Sequence, residues 1–146
     1  MILYTTATPP KLFMKKKVLF VCVENSCRSQ IAEAFGKMFG DNTVDTYSAG
    51  SRPSGVVNGK AIIAMNEVGY DLSGHESKSL EDIPKVNYDY VITMGCGDEC
   101  PYVLAEKRED WQIPDPKLME MDEFKNIRNT IREKVFELIE KIRTEN

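Results

Sequence analysis

Between Val18 and Val21 four apolar residues run without a break, which predicts a short strand buried on both faces of a parallel sheet. From Gln30 the period changes. In QIAEAFGKMFG, Ile31, Ala34, Phe35 and Met38 share one helical face, and Gly40 supplies a C-cap. TVDTYSAG (43–50) alternates as a strand does and ends in a turn at Ala49-Gly50. NGKAIIAMNEVG (58–69) predicts a second helix, again closed by a glycine. YDYVITM (88–94) is the strongest later strand, and EDWQI (109–113) predicts a short fourth one with DPK behind it as a loop. From about Met119 to Arg143, Phe124, Ile127, Ile131, Val135, Leu138 and Ile142 recur at helical spacing and mark a long amphipathic helix.

Strands alternating with helices predict a three-layer α/β fold, with a central, mostly parallel four-stranded sheet and helices on both faces. Such sheets bind ligands beyond the carboxyl ends of their strands. Cys22, the loop from Gly95 to Cys100 and Asp115 each follow a predicted strand, so the topology gathers them at one edge.

Length and charge narrow the picture. The 146 residues suffice for one domain with a real core, and a net charge of −4 argues against a nucleic-acid partner, which would call for a basic patch. An anion site must therefore be built locally. No apolar run approaches the roughly 20 residues that span a bilayer, so no membrane role is expected. In MILYTTATPPKLFMKKK the charges follow the apolar residues, and Thr and Pro interrupt them, unlike a secretory leader. Residues 1–15 read as a poorly ordered N-terminal extension ahead of a single domain over 16–146, and the expected location is the cytoplasm. In that reducing compartment the four cysteines, Cys22, Cys27, Cys96 and Cys100, point to catalytic, redox or metal roles before structural disulfides.

The stretch VLFVCVENSCRS (18–29) carries the chemistry. A loop between a buried strand and a helix turns several backbone N–H groups toward its centre, and the helix adds its unpaired donors and positive end. Val23, Glu24, Asn25, Ser26 and Cys27 would form such a cradle for a tetrahedral oxyanion, and Arg28 would add a planar fork able to hold two oxygens. Cys22 would sit at the floor, where the same donors and the Ser29 hydroxyl favour its thiolate for in-line attack. An isolated C-x5-R is loose, and would leave Cys22 a buried strand end and Arg28 a surface residue. Strand before, serine after and helix beyond favour the anion site.

VLFVCVENSCRSQIAEAF resembles the phosphate-binding loop, C-x5-R-[ST], of the low-molecular-weight protein tyrosine phosphatase family. YSAGSRPSGVVNGKAIIAMNEVGYDLSGHESK (47–78) is similar, more narrowly, to the arsenate reductases built on that fold, and EDWQIPDPK resembles the family's segment with an Asp-Pro general acid. The resemblance runs from about Lys16 to the closing helix. It implies that Cys22 is the nucleophile, Arg28 binds the oxyanion, Ser29 steadies the thiolate and Asp115 protonates the leaving oxygen. Ser29 also fits a plain helix N-cap, and Asp115-Pro116 a plain turn. Glu24 departs from the glycine or histidine common in relatives, and is expected to face solvent.

Arsenate mimics phosphate, so one cradle serves a phosphatase or a reductase. A reductase needs a further thiol to attack the cysteine–arsenate adduct. Cys96 and Cys100 in MGCGDECP resemble the resolving pair of the thioredoxin-coupled branch, although Gly95 stands where some relatives have the first resolver. Other reductases of this fold use a small-molecule thiol. The expected function is therefore an arsenate reductase fed by thioredoxin or another external thiol donor, the alternative being a phosphatase acting on phosphomonoesters. The phosphotyrosine branch tends to carry aromatics after its Asp-Pro, and here Lys117 and Leu118 follow. Cys27 matches an auxiliary cysteine that can form a protective disulfide with the nucleophile. A four-cysteine metal or arsenite module is a minor alternative, because C-x4-C and C-x3-C are not the usual zinc spacings. His75 reads as a loop anchor. Asn25, Glu33 and Ser48 match positions that hold potassium in some relatives, yet Lys78 can bring an ammonium there, and neither metal nor cofactor is assigned.

Overall fold

The computed structural model describes residues 14–95 and 102–145. The expectations for residues 1–13 and for the Cys96–Cys100 pair lie outside the described residues. The elements are β1 (Lys16–Cys22), α1 (Arg28–Gly40), β2 (Val44–Gly50), α2 (Gly59–Glu67), β3 (Tyr88–Thr93), β4 (Ala105–Asp110) and α3 (Met121–Thr144), with 3-10 turns over Leu72–Gly74 and Leu80–Asp82.

The sheet order is β2-β1-β3-β4, and every pairing is parallel rather than mostly so. Val18 pairs with Thr46 on one side and Tyr90 on the other, so β1 lies inside the sheet, as its unbroken apolar run requires. Its side chains alternate between two cores. Val18 and Phe20 pack with Ile31, Phe35, Met65, Phe124, Ile131 and Val135 from the three helices. Leu19 and Val21 pack on the opposite face with Ala49, Val91 and Ile83, which the turn at Leu80 helps to cover. Helical segments thus lie on both faces, but the three α-helices share one core. Each fully buried Leu, Ile or Phe contributes about 1.5–3 kcal/mol of transfer free energy.

The fourth strand is displaced from the expected EDWQI to Ala105–Asp110, AEKRED. It is an edge strand with mostly exposed side chains, so hydrogen bonding to β3 forms it and no apolar period announces it. Trp111 and Ile113, which drew the expectation, are buried just beyond its end. Two smaller corrections concern glycines. Gly40 is the last helical residue and Asp41 the C-cap, while β2 continues through Gly50 instead of turning there. Asn58 caps α2 by accepting from the N–H groups of Lys60 and Ala61.

Candidate active site

The loop between β1 and α1 is an anion cradle because its carbonyls are claimed from outside. Val23 O accepts from Arg52 N at 2.8 Å, Glu24 O from Ser54 N at 3.1 Å, and Ser26 O from Asn58 N at 3.1 Å. Asn25 O accepts from Gln30 Nε2 at 3.2 Å. In a planar trans peptide the N–H opposes the carbonyl, so the amides of residues 24–27 are turned toward the loop's centre. Asn25 completes the curl with φ +50°, a left-handed conformation that asparagine tolerates. Gly50 permits the close approach of β2, since a Cβ there would stand 2.5 Å from Val23 O and 2.9 Å from Asn25 N. Helix α1 begins at Arg28 with Cys27 as N-cap and no side-chain cap, leaving its first amides available to a ligand. Ser29 is therefore not the N-cap that its position suggested. It lies within the first turn.

Ser29 faces the nucleophile instead. Its Oγ is 2.9 Å from Cys22 Sγ and accepts from Asn25 Nδ2 at 2.8 Å, which leaves the hydroxyl proton available to a Cys22 thiolate. The Asn25 amide cannot flip, because its Oδ1 accepts from Gln30 Nε2 and Lys78 N, both at 2.8 Å. Gln30 Oε1 in turn meets His75 Nδ1 at 2.9 Å, and Tyr70 Oη meets His75 Nε2 at 2.6 Å. With Gln30 Nε2 donating to Asn25, His75 carries its proton on Nδ1 and accepts from Tyr70. Burial pushes the His75 pKa below its ordinary value and keeps the ring neutral at neutral pH. His75 is thus the loop anchor expected, and Gln30 and Tyr70, missed in the sequence, complete the chain.

Arg28 is buried, and its Nη1 donates to Met94 O at 2.6 Å and Ile113 O at 2.9 Å. Both Nη1 protons are committed, so the guanidinium offers an anion its Nε–Nη2 edge. Asp115 Oδ2 stands 3.9 Å from Arg28 Nη2, and Asp115 Oδ1 accepts from Lys117 N at 3.1 Å. Trp111, tilted 5.7 Å from Phe20, and buried Ile113 staple this segment to the sheet. Gly95, with φ +87°, donates its N–H to Asp110 Oδ1 at 2.9 Å. Cys22, Arg28 and Asp115 together line a cleft of about 530 Å³ that also includes Val23, Glu24, Ser26, Cys27 and Lys117. Glu24 does not point at the cradle floor. It is 40% exposed and pairs with Lys117 Nζ at 2.9 Å.

Cys27 is a buried neighbour of the nucleophile. Burial, followed by the charges of Asp115 and Cys22, pushes its thiol up to about 12, so at neutral pH it rests protonated. Behind the cradle, Ser48 Oγ donates to Glu33 Oε1 at 2.5 Å, and Lys78 Nζ lies 3.7 Å from the same oxygen. Lys37 Nζ is 3.3 Å from Glu33 Oε2. The three positions matched to a potassium site thus have ammonium groups beside their one carboxylate, and Asn25 Oδ1 is already doubly engaged. They do not fit a bound potassium ion. Among the described residues no cluster of His, Cys, Asp and Glu suits a metal, and no helix there is long and apolar enough to cross a membrane.

The chain is 43% identical over 130 residues to the glutaredoxin arsenate reductase of Synechocystis sp., an overlap covering 87% of this chain and 98% of that protein. It matches a solved arsenate reductase in the phosphate binding state with a TM-score of 0.79 and 43% identity, covering 87% of this chain and 98% of the other. The thioredoxin-dependent arsenate reductase of Corynebacterium glutamicum is more distant, at 32% identity and a TM-score of 0.73 over 90% of this chain and 64% of that one. The family model for low molecular weight phosphotyrosine protein phosphatase spans residues 17–146. A match of that extent, laid over the cradle and cleft above, makes the chain a member of the low-molecular-weight phosphotyrosine protein phosphatase family.

Proposed function

We propose that the protein is an arsenate reductase that takes arsenate into the cradle above Cys22 and releases arsenite, using electrons from an external thiol. The lining of the cleft carries this reading. Cys22 lies at its floor beside Arg28 and Asp115, and among the described residues it contains no aromatic ring. An aryl phosphate has nothing to stack on there, whereas a bare tetrahedral oxyanion needs only the donors. The relatives above, named as arsenate reductases, support the same choice over a phosphatase.

In the first step the Cys22 thiolate attacks arsenic in line. One As–O bond breaks, Asp115 supplies a proton, and the oxygen leaves as water. In the second step another thiolate attacks the Cys22 sulfur. The S–As bond breaks with its electron pair going to arsenic, which leaves as arsenite, and a disulfide forms. We assign that attack to Cys96 and the onward transfer to Cys100. The protonated, buried state of Cys27 supports an auxiliary role for it. An external donor, thioredoxin or glutaredoxin with glutathione, then reduces the disulfide, as suits a cytoplasmic enzyme. The scheme uses no resident metal or cofactor, and Lys78 beside Glu33 supports leaving potassium out.

Arsenite formation with a thioredoxin system, with glutaredoxin–glutathione and without reductant, measured beside aryl-phosphate hydrolysis, tests the proposal. Multiple turnover with at least one donor is expected. Efficient phosphatase activity without arsenite from either donor would return the chain to the phosphatase reading.

A further inference from the structure

Glu24 and Lys117 come from opposite walls of the cleft, the loop after β1 and the segment after β4, and their charged ends meet at 2.9 Å. Each is fixed at its base. Glu24 O accepts from Ser54 N and Ser77 Oγ, and Lys117 N donates to Asp115 Oδ1. Neither side chain is needed to hold an oxyanion at the floor, where the loop amides and Arg28 act. In-line attack sets the leaving oxygen opposite the Cys22 sulfur, on the side of Asp115 and the mouth. A group attached at that position must therefore occupy the gap the pair spans.

We infer that the Glu24–Lys117 ion pair is a strap across the mouth that admits a bare tetrahedral oxyanion and disfavours one carrying an aryl group. The inference rests on the reading that the cradle takes an inorganic oxyanion. Glu24 is 40% and Lys117 42% exposed, so the pair is weak and does not seal the cleft. The hydrogen bond from Lys117 to Glu24 holds the ammonium above the ordinary lysine range. The pair also neutralises Glu24, whose carboxylate would otherwise repel the substrate.

Phenylphosphonate tests the strap because it presents the same oxyanion with a ring where the leaving group points, and it needs no turnover. Calorimetric affinities for phenylphosphonate and inorganic phosphate are compared in the native protein, Glu24→Gln, Lys117→Met and the exchange variant E24K/K117E. The ratio of phenylphosphonate to phosphate affinity is expected to rise about threefold in both single variants, the reach of an exposed pair, and to return in the exchange variant. Phosphate affinity itself should rise in Glu24→Gln and fall in Lys117→Met, following charge. A ratio that stays constant, or moves in opposite directions in the two single variants, overturns the strap. Absence of phosphate binding to the native protein overturns the cradle reading beneath it.

Discussion

Ser29 Oγ lies 2.9 Å from Cys22 Sγ, and once Cys22 is a thiolate, which can only accept, Ser29 is the donor. The ionised sulfur therefore receives a hydrogen bond. Ser29→Ala should slow both arsenate reduction and iodoacetamide labelling of Cys22 at neutral pH by about 10- to 100-fold, the worth of a hydrogen bond to a charged group. Cys22→Ser should abolish turnover while the circular dichroism stays native. Unchanged labelling in Ser29→Ala would count against this role of the hydroxyl.

Arg28→Lys is expected to fail twice. An ammonium cannot present the Nε–Nη2 edge, and it cannot also reach Met94 O and Ile113 O as the guanidinium does. Phosphate binding should be lost, and the urea midpoint should fall, because a buried carbonyl left unpaired costs about 1–3 kcal/mol. Calorimetry and urea denaturation on the same sample read both effects.

Asp115→Asn keeps the shape and removes the proton. Cleavage of a phosphate ester with a poor leaving group should slow by roughly 10²–10⁴-fold, the usual contribution of a general acid. An ester with a good leaving group should lose less. Equal losses for both would refute proton donation by Asp115.

Cys96→Ser and Cys100→Ser should each stop multiple-turnover arsenate reduction while leaving aryl-phosphate hydrolysis close to native, since neither residue belongs to the cradle. Single-turnover assays should separate them. Cys96→Ser releases little arsenite, whereas Cys100→Ser releases about one equivalent and stalls as a Cys22–Cys96 disulfide visible by mass spectrometry. Sustained turnover in both variants with either donor would point to direct attack by the external thiol.

Cys27 gives a pH signature. Its thiol titrates near 9.0 when unfolded and near 12 in the folded protein. Between these values the native state holds a proton that the unfolded state has lost, so stability is intact below about pH 9 and falls as pH rises toward 12. Tyr88, raised by burial from 10.0 to about 12, adds the same sign above pH 10. The urea midpoint of the native protein should drop more steeply between about pH 9 and pH 11 than that of Cys27→Ser.

What could be read from the sequence follows from where each residue's partners lie. β1 was legible because burial on both faces leaves an unbroken apolar run, and α3 because one buried stripe repeats along it. β4 was misplaced because AEKRED carries the pattern of an exposed edge, while its pairing with β3 rests on backbone hydrogen bonds and on polar contacts such as Thr93 Oγ1 donating to Asp110 Oδ1 at 2.7 Å, which no apolar period announces. Cys22, Arg28 and Ser29 announced themselves by spacing. Gln30 stands next to Ser29, yet its partners Asn25, Glu76 and His75 are brought to it by the fold. The anchors of Arg28 are carbonyl oxygens, which every residue possesses and none advertises.

The carbonyls of Val23, Glu24 and Ser26 are held by Arg52, Ser54 and Asn58, residues of the stretch that joins β2 to α2. Contacts within 22–29, such as Asn25 Nδ2 to Ser29 Oγ, leave those three carbonyls unpaired, so the cradle is complete only once the stretch after β2 has docked beside it. The site is consequently a reporter on the assembled sheet. An anion that occupies it binds the native state alone and shifts the folding equilibrium by mass action. Arsenate and phosphate should therefore stabilise the whole molecule, raising its melting temperature with the logarithm of their concentration.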